Sequence, residues 1–108
     1  MRKAYTLSDG NITFAIDCPK IEHVGDATIE PNTYNVWTII NGAVTITKGQ
    51  DKEGIMNNYI IRFTAGDKCS IILQGWDLIW IEGGEPIIEK GKVYEISISD
   101  NLATFINS

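Results

Sequence analysis

Basic residues, histidine, cysteine and long apolar runs are all scarce in this sequence, and each scarcity removes a class of function. Nine lysines and arginines stand against fourteen acids, a net charge of -5 with a pI near 4.7. The nine are scattered along the chain, so the clustered positive surface that neutralises phosphates is missing and no nucleic-acid partner is expected. No apolar run approaches the roughly 18 residues of a membrane span. Met1 is followed by Arg2, Lys3 and a polar alternating stretch instead of the apolar core of a signal peptide, so no membrane partner and synthesis in the cytosol are expected.

The single histidine, His23, limits the chemistry further. Two cysteines far away in sequence do not complete a nitrogen and sulfur set for zinc. A serine or cysteine nucleophile would have only His23 as its base, and no elbow motif or partner spacing surrounds it. With no secretion signal, Cys18 and Cys69 are expected to be free thiols, Cys69 sharing a face with Ile71 and Leu73 as a small core residue. Glu82, Glu85 and Glu89 form the closest carboxylate cluster but flank glycines and a proline, which places them in solvent. Asp51, Glu53 and Asp67 lack the regular spacing of a calcium loop. Gly83-Gly84 has no following lysine or helix to cradle a phosphate, and Asn11-Ile12-Thr13 matches a glycosylation acceptor without a secretory context. No catalytic residue, no cofactor site and no metal site is therefore expected, and no enzyme activity.

What the chain does have is alternation. Its 108 residues, 44% of them hydrophobic and 21% charged, suit one globular domain over 1–108. No window of eleven or more residues carries a capped helical stripe. A first hairpin is expected from Lys3 to Leu7 and Asn11 to Ile16 across Ser8-Asp9-Gly10, with Tyr5 and Leu7 pointing the same way. Short strands are expected at Ile21 to Val24, after Cys18-Pro19, and at Ala27 to Glu30, ended by Pro31-Asn32. Thr33 to Ile40 and Ala43 to Lys48 flank Asn41-Gly42, a strong two-residue hairpin signal. Gly49 to Met56 reads as an exposed loop.

Further strands are expected at Asn58 to Thr64, Lys68 to Leu73 and Trp76 to Ile81, with Ile87-Ile88 resuming briefly. Val93 to Ser99 turns through Asp100-Asn101 into Leu102 to Ile106. In Trp76 to Ile81 the residues Trp76, Leu78 and Trp80 share one face, Ile79 and Ile81 the other. The expected fold is all-β, an antiparallel, jelly-roll-like β-sandwich of about nine or ten short strands with no substantial helix.

Three aromatic residues stand out as contact candidates: Trp76, Trp37 and Tyr59. For the tryptophans, three roles compete: core, subunit interface and carbohydrate platform, since aromatic faces stack on sugars and anchor protein interfaces. Trp76, between Gly75 and Asp77, is the one expected at the surface, and Trp80 is expected in the core.

From Glu30 onward the order of blocks resembles a β domain that recurs in bacteriophage and prophage structural proteins. The blocks are Pro31-Asn32-Thr33-Tyr34, the run from Asn57-Asn58-Tyr59 to Ala65-Gly66, the Trp80 strand, the run from Gly84-Glu85-Pro86 to Ile96-Ser97-Ile98, and Asn101-Leu102-Ala103. The resemblance implies a non-enzymatic virion part: a capsid auxiliary or decoration subunit, or a head or tail fibre-associated domain, assembled in the host bacterial cytoplasm. Its partners would be other virion proteins, capsid or fibre, and further copies as a homo-oligomer. The alternative class is a carbohydrate-binding or receptor-binding adhesion module for cell-surface polysaccharide.

Overall fold

The computed structural model describes residues 18–81 and 84–108, together with the backbone of two strands near the amino terminus, β1 (Tyr5–Ser8) and β2 (Asn11–Phe14). These two pair antiparallel as expected, except that Ser8, expected in the turn, belongs to the ladder opposite Asn11. The turn residues Asp9 and Gly10, the facing of Tyr5 and Leu7, and the side chains of the Asn11-Ile12-Thr13 acceptor lie outside the described residues, as do Glu82 and Gly83.

From β3 onward the chain winds as a flattened coil. β3 (Lys20–His23), β5 (Thr33–Ile40) and β7 (Asn58–Ala65) stack in parallel in one sheet. β4 (Ala27–Ile29), β6 (Ala43–Lys48) and β8 (Ser70–Gln74) stack in parallel in the other. From β3 to β8 the chain changes sheet after every strand, so each circuit adds one parallel strand to each layer. β9 (Ile79–Trp80) then returns to the first sheet, and the hairpin of β10 (Val93–Ser99) and β11 (Leu102–Asn107) fits between β7 and β9. The result is a mixed six-stranded sheet in the order β3-β5-β7-β10-β11-β9 facing a parallel three-stranded sheet, with no helix among the described residues.

The chain is all-β as expected, but its pairing is not the all-antiparallel ladder that was expected. The decisive difference lies at Asn41-Gly42. Gly42 does adopt the positive φ of 86° that this dipeptide invites, yet β5 and β6 on either side enter different sheets. The turn is a corner between layers, held by the next circuit: Gly42 N–H donates to Asp67 O at 2.9 Å, and Gly66 N–H donates to Ile40 O at 2.8 Å. The expected two-residue turn at Asp100-Asn101 does form, with Ser99 opposite Leu102 and Asp100 at φ 55°. Ile87-Ile88 forms no strand: Ile88 packs on the core and Ile87 is exposed.

Alternation decides which side chains enter the space between the sheets. In β7, Tyr59, Ile61, Phe63 and Ala65 are buried, while Asn58 and Arg62 are exposed and Ile60 and Thr64 half-buried. Tyr94, Ile96 and Ile98 of β10 meet them from the neighbouring strand, and Ile29, Val44 and Ile46 close the core from the opposite sheet. Each fully buried aliphatic or aromatic side chain contributes about 1.5–3 kcal/mol relative to exposure. The buried polar groups are bonded: Asn35 Nδ2 donates to Thr33 Oγ1 at 2.8 Å, and its Oδ1 lies 2.8 Å from His23 Nε2. His23 also stacks on Trp37 at 4.5 Å, so the only histidine fastens the outermost strand β3 to the core.

Candidate functional site

Two features stand apart from the packed interior: a cleft beside Trp76, and the outer face of the six-stranded sheet near β9. The cleft has a volume of about 440 Å³ and lies where the end of β6, the crossover from β8 to β9 and the β10–β11 turn converge. β6 supplies Lys48, the following loop Asp51, the crossover Trp76, Asp77 and Leu78, and the hairpin turn Asp100 and Asn101.

Its walls are fixed from behind. Lys48 Nζ pairs with Asp51 Oδ1 at 2.7 Å, and the same oxygen accepts the hydroxyl of Tyr59 at 2.8 Å. These hydrogen bonds, Lys48 first, hold the Asp51 carboxyl below its ordinary range, so it is a carboxylate at neutral pH. Burial together with that same carboxylate pushes the Tyr59 phenol far up, so it stays protonated as a donor. The Trp76 indole stands edge-on to the Tyr59 ring at 4.8 Å and donates its N–H to Ile46 O at 3.0 Å. Asp100 is anchored through its Oδ1, which accepts Asn57 N–H at 3.1 Å.

The three expected contact residues separate accordingly. Trp76 is half-buried and lines the cleft. Tyr59 and Trp37 are buried, at 0% and 1% exposure, so the Tyr59 ring supports the cleft from beneath and Trp37 packs against His23, with its indole N–H on Gly25 O. Trp80 is half-buried with its ring edge-on to Phe105. Lys48, Asp100 and Asn101 were missed as site residues; only the fold brings them beside Trp76.

The second feature follows from the outward-facing residues. Strand register sets Ile79 beside Leu102, and lines up Thr104, Ser97 and Ile60 in one row across β11, β10 and β7 and Ile106, Glu95 and Arg62 in another. Ile79 is 55% exposed, Ile81 41%, Leu102 44% and Ile106 68%, so four large aliphatic groups collect at the β9–β11 end of the outer face. The Arg62–Glu95 pair at 3.2 Å borders them. Ile79 and Ile81 therefore point away from the core that Trp76, Leu78 and Trp80 pack against, as the alternation predicts.

The remaining candidates do not converge. Asp51 pairs with Lys48 while Asp67 pairs with Lys90, and no group of three or more His, Cys, Asp or Glu side chains is placed to hold a metal among the described residues. Glu89 pairs with Lys92 at 3.0 Å. Cys18 and Cys69 are both free thiols, each pushed up by burial. Among the described residues no helix is long and apolar enough to cross a membrane. Compared with known proteins, the chain matches no family model, no curated protein and no solved structure.

Proposed function

We propose that this chain is a non-enzymatic assembly module, a structural subunit of a bacteriophage or prophage particle that docks on further copies of itself or on capsid or fibre proteins. The observation that carries the assembly reading is the aliphatic group Ile79, Ile81, Leu102 and Ile106, gathered on the outer face beside the edge strand β9. A two-layer protein buries one face of each sheet, and apolar clusters left on the other face mark contact surfaces. Among the described residues the two-residue strand β9 pairs with β11 alone, so the aliphatic group lies at the edge of the sheet. The virion setting rests on the resemblance in block order from Glu30 onward.

Charge permits contact between copies. The net charge of -5 resists self-association weakly at physiological salt, where charges more than about 8 Å apart are screened. Light scattering across micromolar concentrations, with co-sedimentation of the protein on phage particles, tests the reading. Concentration-dependent growth in mass or particle binding is expected. A strict monomer that stays in the supernatant would overturn it.

A further inference from the structure

We propose that the Trp76 cleft is a binding site for a neutral sugar unit of a polysaccharide, a function separate from assembly through the outer sheet face. About 300–1,000 Å³ is the size range of small-molecule sites, and the cleft's 440 Å³ falls inside it. Its composition matches what a pyranose presents, an apolar face of C–H groups ringed by hydroxyls. The half-buried Trp76 indole and Leu78 supply apolar surface. Around them stand three carboxylates, one ammonium and one carboxamide, which offer both acceptors and donors to hydroxyls.

The polar groups fall into two sets. Asp51 is held by Lys48 and by the Tyr59 hydroxyl, Lys48 by Asp51, and Asp100 by the Asn57 backbone, so their positions are set before any ligand arrives. Among the described residues no hydrogen bond engages the side chains of Asp77 or Asn101, which leaves both free to bond a ligand. An ionised carboxylate accepts from two neighbouring hydroxyls, and such charge-assisted bonds are the stronger kind. The indole N–H is already given to Ile46 O, so Trp76 offers its ring surface and not a donor.

Charge selects the class of sugar. With three carboxylates against one ammonium, the cleft repels uronates, sialic acids and phosphorylated glycans, and it favours neutral hexoses and N-acetylhexosamines.

The test is isothermal titration of the full chain with four probes: cellotetraose, N-acetylchitotetraose, mannotetraose and tetragalacturonate. At least one neutral tetrasaccharide is expected to bind saturably, and tetragalacturonate is not. Asp77→Asn and Asn101→Ala should each weaken that binding about tenfold, equivalent to 1.4 kcal/mol, with unchanged thermal melts. Trp76→Ala should abolish it, but that ring also braces Tyr59, so the two polar variants decide the outcome if this one fails to fold. Ile106→Glu, on the outer sheet face, should bind sugar as the wild type does, which separates this site from the assembly surface. The proposal is overturned if no neutral probe binds, if the acidic probe binds equally well, or if both polar variants bind unchanged.

Discussion

The side-chain oxygen of Asn41 accepts the backbone N–H of Asp67 at 2.8 Å, tying the corner after β5 to the corner after β7 one circuit later. The same corner explains Gly66: a Cβ there would run into the Asn41 carboxamide and stand 3.0 Å from Ile40 O. Gly66→Ala is expected to cost about 1–3 kcal/mol by forcing these corners apart. Asn41→Ala removes one hydrogen bond, for about 1 kcal/mol. Urea unfolding curves of the two variants check both values, and a Gly66→Ala midpoint equal to that of the wild type would contradict the stacked-corner geometry.

Removing a buried indole differs from removing a half-buried one. Trp37→Ala is expected to lose about 3–5 kcal/mol, since its ring is buried and supports His23 of the outermost strand. Trp80→Ala should lose less, about 1–3 kcal/mol, because its ring keeps some solvent contact and meets Phe105 edge-on at 6.4 Å. Thermal melts of the pair give the order directly; the reverse order would contradict the packing described.

Acid should loosen the cleft wall. Asp51 has a carboxyl lowered from 3.8 in the folded chain, so its contribution is present above that ordinary value and is lost as pH falls through the lower folded one. Melting temperature is therefore expected to fall as pH drops below 3.8, and to fall less steeply in Asp51→Asn. Tyr59→Phe, which removes the hydroxyl from the same carboxylate, should cost about 0.5–1.5 kcal/mol at neutral pH. Melts of the three proteins over an acid series measure this, and identical slopes for wild type and Asp51→Asn would contradict it.

Chelation should leave the fold intact. Lys48 and Lys90 neutralise Asp51 and Asp67, and no metal-holding group is found among the described residues. A melt in excess EDTA is expected to overlay the melt without it, and a large drop would reveal a bound ion.

Alternation made the facing of side chains legible in the sequence, although the strand expected from Trp76 to Ile81 shrinks to Ile79–Trp80. Tyr59, Ile61 and Phe63 against Asn58 and Arg62 gave β7 its facing, and Ile79 against Trp80 gave β9 its two sides. Sheet membership was not legible. Asn41-Gly42 reports only that φ turns positive at Gly42, which a hairpin and an interlayer corner both require. The choice between them rests on bonds to Gly66 and Asp67, some 25 residues away along the chain. The cleft was half legible for the same reason. Trp76 is flagged by its glycine and aspartate neighbours, whereas Lys48, Asp100 and Asn101 reach it only through the winding of β6 and β8 and the placement of the β10–β11 turn.

The assembly surface is tested most directly by placing charge on each outer face in turn and measuring sedimentation velocity across micromolar concentrations. Leu102→Glu with Ile106→Glu puts two carboxylates into the aliphatic group near β9; Thr28→Glu with Thr47→Glu puts two on the outer face of the three-stranded sheet, where the threonines are register neighbours. The account predicts that wild type and the threonine pair associate alike, while the Leu102 and Ile106 pair sediments as a monomer and no longer binds phage particles. A wild type that is monomeric and indifferent to particles, or an association that survives the Leu102 and Ile106 changes, would contradict it.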